Sequence, residues 1–137
     1  MRSLLIVKPD ICKGKTGMVL SMLIDNGFKI VFTKIMQLDF KVASEFYKEH
    51  FGKPFYGQLI DFMCSDQIVV VVVEKLNCAE ELRKLVGSTN PEEAAEGTIR
   101  KKFGTGLPKN AVHASDSGIS SMKEIDFFFS KEEQLKW

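Results

Sequence analysis

The chain has 137 residues, 45% hydrophobic and 27% charged, the proportions of an ordinary globular protein, which excludes a disordered chain and, without periodic Gly or Pro, a fibrous one. Lys and Arg number 19 against 18 Asp and Glu, for a net charge of +1. No global field therefore draws nucleic acid or a membrane surface, and any anion must be met by a local cluster of charge.

The length suits one domain over residues 1–137, since domains run to ~100–150 residues. Cys12, Cys64 and Cys78 are odd in number and widely spaced, so neither a disulfide framework nor a zinc site is expected. The apolar run Leu4–Val7 stops at Lys8-Pro9-Asp10, too early for a signal peptide. Ile68–Val73 is the longest apolar run elsewhere, far below the ~20 residues of a membrane span. A reduced, cytoplasmic protein is the expectation.

In chain order, Ser3–Val7 reads as a short strand ended by Pro9. Thr16 is placed to cap a helix over Gly17–Asn26, stopped by Gly27. Lys29–Leu38, rich in Ile, Val, Phe and Thr, reads as a second strand. Asp39 caps a helix running towards His50, and Pro54–Cys64 forms another. Ile68–Glu74 contains five consecutive valines and reads as a central strand buried on both faces. Asn77-x-x-Glu80 resembles a capping box for a helix through Leu85, stopped at Gly87. Pro91-Glu92-Glu93 looks like a helix start, and Gly104, Gly106 and Pro108 mark a loop. Ala111–Ser115 is a fourth strand, and Ser117 caps a last helix to Phe129. Four strands with helices between them predict an α+β sandwich with helices packed on one sheet.

Gly14-Lys15-Thr16 resembles the end of a P-loop, but the glycine required five positions earlier is Pro9, which has no N–H for a phosphate. It reads as a turn and helix cap. Of the two histidines, His50 lies in a charged context and reads as a solvated surface residue. His113 sits in Asn110-Ala-Val-His-Ala-Ser-Asp-Ser117. Asn110, Ser115 and Asp116 are its neighbours, and Glu124 lies one helix later, where its carboxylate can return to the same sheet end. Imidazole is a competent nucleophile near neutral pH, and a carboxylate fixes its tautomer and raises its basicity. Arg83, Thr89, Arg100 and Lys8 form a second set whose donors suit phosphate. Phe55-Tyr56 reads as core by default, with an exposed stacking platform as the other reading. Phe127-Phe128-Phe129 reads as core or a subunit contact.

Taken together, VKPD at 7–10, HFGKPFY at 50–56, GSTNPEEAAEGTIRKKFG at 87–104, NAVHASDS at 110–117 and KEIDFFF at 123–129 resemble, in order and nearly in spacing, the motifs of nucleoside diphosphate kinases. The resemblance covers essentially the whole chain. It implies a ferredoxin-like α/β sandwich with a four-stranded antiparallel sheet. The implied activity is reversible transfer of the γ-phosphate of a nucleoside triphosphate to a nucleoside diphosphate, by a ping-pong route through phosphohistidine. Residue by residue, it implies that His113 is phosphorylated, that Glu124 orients it with help from Ser115, and that Tyr47 lines the pocket beside it. Lys8 and Asn110 would hold the ribose hydroxyls, Lys8 also lying near the transferring phosphate. Arg83, Thr89 and Arg100 would bind the α- and β-phosphates. Phe55 would stack on the base, with apolar contacts from Leu59 and Leu107.

Mg²⁺ is implied as the cofactor, held mainly by the nucleotide phosphates with no protein ligand set. A tetrameric or hexameric homo-oligomer is implied, with no membrane partner and nucleic acid at most a side activity. The alternative is a catalytically silent nucleotide-binding module on the same fold, marked by loss of the histidine or of a phosphate-binding arginine; neither is missing. Departures from the family pattern are Ala114 for glycine, Gly118-Ile119 after the SDS motif, and an Ile11–Gly17 stretch one residue short.

Overall fold

A computed structural model describes all residues from Met1 to Trp137. Four strands form one antiparallel sheet: β1 (Arg2–Val7), β2 (Lys29–Gln37), β3 (Gln67–Glu74) and β4 (Val112–Ala114), in the spatial order β2-β3-β1-β4. This is the ferredoxin-like arrangement. β1 and β3 hold the centre, with Leu4 opposite Val72 and Leu5 opposite Val71. The short β4 lies on the edge, where His113 faces Ile6. β2 pairs with β3 through a register shift between Ile30 and Phe32, a bulge of the kind common at sheet edges.

Strand alternation divides the core in two. Leu5, Val7, Val69, Val71 and Val73 point to one face, which is covered by α1 (Cys12–Asp25), α4 (Cys78–Val86) and α5 (Ile99–Phe103) through Val19, Leu23, Leu82 and Ile99. Leu4, Ile6, Ile68, Val70 and Val72 point to the other. There α2 (Phe40–Phe46), α3 (Tyr56–Cys64) and α6 (Gly118–Phe128) supply Ala43, Ile60, Met63, Ile125 and Phe128. The valine run of β3 thus belongs to both cores, as its lack of polar alternation requires. All three cysteines are unpaired, Cys12 and Cys78 within the core. No helix is long and apolar enough to cross a membrane.

Several local expectations hold. Asp39 accepts a hydrogen bond from Val42 N at 2.8 Å and starts α2. Ser117 and Ser120 form a reciprocal capping box at the start of α6. Gly87 ends α4 with φ +91°.

Others are corrected. α1 begins at Cys12, four residues before the expected cap, because Ile11 and Cys12 are buried and their N–H groups bond Lys8 O. Thr16 therefore lies inside the helix and donates back to Cys12 O at 2.6 Å; Gly14-Lys15-Thr16 is helical, neither turn nor cap. Asn77 sits in the left-handed region (φ 54°) and makes no side-chain cap, since the sharp exit from β3 sets its backbone and asparagine tolerates that region. Pro91–Glu93 is a single 3₁₀ turn. The helix from Asp39 stops at Phe46, with a 3₁₀ turn over Lys48–His50. Two short helices were not expected: α5, capped by Thr98, and α7 (Lys131–Gln134), opened by a Ser130–Glu133 capping box.

Gly87 links fold to site. A Cβ there would meet Thr98 Oγ1 at 2.7 Å and Thr98 Cβ at 2.8 Å, at a φ that L-residues rarely adopt. Gly87→Ala is expected to cost about 2–3 kcal/mol in urea unfolding. A loss well under ~1 kcal/mol would mean that the Thr98 side chain simply turns away.

Candidate active site

Period-two alternation decides where His113 goes. Its neighbours Val112 and Ala114 are buried in the α1/α4/α5 core, so the imidazole faces the opposite side, towards α2 and α6. On α6, Ser121, Ile125 and Phe128 face inward, and Glu124, one turn after Ser121, meets the imidazole. His113 Nε2 lies 2.6 Å from Glu124 Oε1, and Ser115 Oγ donates to that same oxygen at 2.9 Å. Nε2 supplies the proton to the carboxylate, which leaves Nδ1 as the nitrogen with a free lone pair.

Around this pair lies a cavity of about 360 Å³. Every site residue expected from the sequence lines it except Ser115, buried behind Glu124, and Leu107, which is 61% exposed while its neighbour Pro108 lines the wall. A larger hollow of about 720 Å³ beside Trp137 contains none of these groups.

The cations come from separate elements. Lys8 follows β1, Arg83 projects from α4 and Arg100 from α5. Lys8 donates to Asn110 Oδ1 at 2.7 Å and Pro108 O at 3.2 Å. Asn110 Nδ2 donates in turn to Thr89 O at 3.0 Å, tying the Thr89 loop to the same cluster. Arg100, only 5% exposed, donates to Gly87 O at 3.1 Å and Val112 O at 2.9 Å, while its Nε has no partner. Asp10 accepts from Ala111 N at 3.1 Å and closes the turn under Lys8.

Burial leaves these charges under-compensated. The Lys8 ammonium is pushed down to about 8, by desolvation first and the Arg100 charge second. Arg100 is lowered to about 10 by desolvation, then by Arg83. Desolvation, with a smaller contribution from Glu124, pushes the Tyr47 phenol up, and its buried hydroxyl has no hydrogen-bond partner. Asp116 is held ionised below its usual range by its hydrogen bond from Ser120, with Arg83 a lesser cause. A protein of net charge +1 thus brings three cations into one cavity, with Lys8 and Arg100 buried there, a lining whose chemistry suits an anion.

Phe55 is 47% exposed, so the core reading is corrected: it stands at the cavity as a platform. His50 is also corrected. It lines the cavity, packs against Phe55 and Tyr47 with ring centroids 5.4 and 6.2 Å away, and accepts from Lys53 Nζ at 3.2 Å. Burial, and then Lys53, lower its pKa. His50 stands five residues before Phe55, within the same HFGKPFY motif, and that proximity was its signal. Phe46 and Asp116 also line the cavity without having been assigned to it.

The chain matches the family model described as "Nucleoside diphosphate kinase" over residues 1–134. It is 45% identical over 135 residues to the nucleoside diphosphate kinase of Flavobacterium psychrophilum, covering 98% of this chain and 97% of the relative. Identity to that of Campylobacter lari is 47%, covering 98% of each. Among solved structures, the Aquifex aeolicus nucleoside diphosphate kinase superposes with a TM-score of 0.92 at 42% identity, covering 96% of each chain. A halophilic nucleoside diphosphate kinase from Halobacterium salinarum in complex with CDP gives 0.93 at 35% identity, covering 97% of this chain and 90% of that one.

Proposed function

The chain belongs to the nucleoside diphosphate kinase family of enzymes, and from that premise we propose how its own residues transfer a γ-phosphate from a nucleoside triphosphate to a nucleoside diphosphate. The carrying observation is the Ser115–Glu124–His113 chain opening into a cavity that also holds Lys8, Arg83 and Arg100.

Phe55 stacks on the base, with Leu59 and Leu107 as apolar contacts. A phenyl face with no groups reading base edges accepts any base. Lys8 and Asn110 hold the ribose hydroxyls, and Arg83, Thr89 and Arg100 the α- and β-phosphates. His113 Nδ1 attacks the γ-phosphorus, the bond to the β-phosphate oxygen breaks, and the diphosphate leaves. The positive charge growing on the imidazole is stabilised by Glu124 through Nε2, Ser115 holding the carboxylate in place. Lys8 meets the equatorial oxygens, and Tyr47 lines the pocket beside the histidine. An incoming diphosphate attacks the same phosphorus and breaks the P–N bond. Such a reaction asks chiefly for positioning and charge stabilisation.

The family needs a divalent cation, and we assign Mg²⁺. The ion would arrive on the nucleotide phosphates, which hold it in place of a protein ligand set. Histidine, carboxylate and phosphate-binding arginines are all in place, which favours the enzyme over a silent module. The unpaired cysteines fit a cytoplasmic setting. A tetrameric or hexameric homo-oligomer fits the nine-residue edge strand β2, whose Ile35 is exposed.

Incubation with γ-labelled ATP and Mg²⁺ tests the reading. An acid-labile, alkali-stable label discharged by GDP is the expected result; bound ATP with no label would establish the silent module instead.

A pH dependence also follows. Lys8 is cationic below its value of about 8, so ADP affinity is expected to be flat at neutral pH and to fall as pH rises through 8. Lys8→Arg is expected to remove that limb. The stability linkage has the opposite sign: between about 8 and the ordinary 10.5 the unfolded chain holds the proton that the native Lys8 has lost, so this group's contribution to stability rises with pH there. Calorimetric titrations of ADP across this range decide the binding limb.

A further inference from the structure

α2 ends on Phe46, whose ring packs against the His113 imidazole with centroids 5.3 Å apart and planes at 73°. Tyr47 lies 4.9 Å from the same phenyl, Phe127 5.3 Å and Phe128 5.0 Å. Aromatic neighbours at these separations attract one another beyond their buried area, so the Phe46 ring is braced by three other aromatic side chains besides the imidazole.

Phe46 also stands between two hollows. It lines the nucleotide cavity and a second cavity of about 340 Å³, to which Lys48, Ser120 and Lys123 belong. Glu124 lines both, so the carboxylate that holds His113 is reachable by water from two directions. Phe46 is the only apolar side chain common to the two walls.

The imidazole turns about its Cβ–Cγ bond, and the hydrogen bond from Nε2 to Glu124 resists that turn at a single contact; any turn that stretches it carries Nδ1 out of line. A rigid wall is needed to hold the plane. Water reaching the Nε2–Glu124 bond would also raise the local dielectric and weaken it. We propose that Phe46 is a positioning residue for phosphoryl transfer: its ring holds the plane of His113 so that Nδ1 faces the γ-phosphate, and it is the apolar part of the wall between the nucleotide cavity and the second cavity. This rests on His113 being the nucleophile. Phe46 touches no nucleotide phosphate in this role and takes no proton.

The test uses the full chain with Phe46→Ala and Phe46→Leu. Three quantities are read: the single-turnover rate of His113 phosphorylation by Mg²⁺-ATP, the Kd for ADP, and the ¹⁵N shifts of the His113 ring. Phe46→Ala is expected to slow phosphorylation about 10- to 100-fold, the scale of a small misplacement of a reacting atom. The Kd should change less than ~2-fold, because binding groups are untouched. The ¹⁵N shifts should move from one tautomer towards a mixture. Phe46→Leu, which restores an apolar wall, is expected to recover most of the rate, leaving a loss of roughly threefold.

A phosphorylation rate within ~2-fold of the parent in Phe46→Ala overturns the proposal, as does a Kd that rises by the same factor as the rate falls. Should Phe46→Ala not fold, Phe46→Leu carries the test, and a parental rate with parental ring shifts overturns it. The two readings fail differently: an unlabelled parent protein sinks the phosphohistidine itself, whereas a labelled parent with an unaffected Phe46→Ala sinks only the positioning role.

Discussion

His113→Ala is expected to reduce phosphoryl transfer from ATP to GDP by at least about 10⁴-fold, the scale seen when a covalent nucleophile is removed. ADP binding should survive nearly intact, because Lys8, Arg83 and Arg100 reach the cavity from β1, α4 and α5 and none of them bonds the imidazole. Stability should change little. The His113 side chain is 23% exposed, and Ser115 still donates to Glu124 once the imidazole is gone. Initial rates with and without added imidazole, together with ADP calorimetry, check the result. Transfer that falls less than about 10-fold would move the nucleophile elsewhere.

Arg100→Met carries the second large effect, and it separates a structural role from a functional one. The guanidinium is buried and donates to two backbone carbonyls, Gly87 O and Val112 O. Leaving both unpaired is expected to cost about 2–4 kcal/mol in urea unfolding. The depressed Arg100 pKa argues that this figure lies at its lower end: burial disfavours the charge, so removing it also relieves a desolvation penalty. Phosphate binding is the other half. Losing a charge-assisted donor set is expected to raise the ADP Kd about 100-fold, roughly 2.7 kcal/mol. Arg100→Lys should fall between, keeping charge but not the two-carbonyl fork. If stability drops while the Kd stays within about threefold, Arg100 is a tie between α4, α5 and β4 and not a phosphate ligand.

Burial of these cations is part of the chemistry. An exposed lysine and arginine would already be solvated and would gain little from a phosphate. Lys8, 6% exposed and lowered to about 8, and Arg100 give up hydration on folding, and in the proposed mechanism phosphate oxygens supply the acceptors and counter-charge that water no longer provides. The site is prearranged for negative charge before any arrives.

Much of this was legible along the chain, because local physics wrote it there. The valine run of β3 is apolar at every position and had to be buried on both faces. Asp39 and Ser117 capped the helices they were read to cap, since a side-chain oxygen two or three residues from orphan N–H groups has an unambiguous use. Gly87 stopped α4 for a different local reason, since glycine adopts its φ of +91° without a Cβ clash. The motifs around His113 and Lys8 named the family because five stretches in order constrain the chain far more than any one of them.

Where local signals conflicted with packing, packing won. Burial of Ile11 and Cys12 drew the start of α1 back past Thr16, and the turn out of β3 forced Asn77 into a backbone region where it cannot cap. Phe55 and His50 were misplaced because a ring beside a cavity and a ring in the core look alike in sequence. Only the tertiary structure decided that Glu124 meets Nε2 rather than Nδ1, that Asn110 bonds a lysine 102 residues away, and that Phe46 stands behind the histidine. Residue type and local spacing determine which elements form and what chemistry each side chain can perform. Which groups meet, at what distance and with how much water between them, depends on sheet register and helix packing, because those contacts join residues that the chain alone leaves far apart.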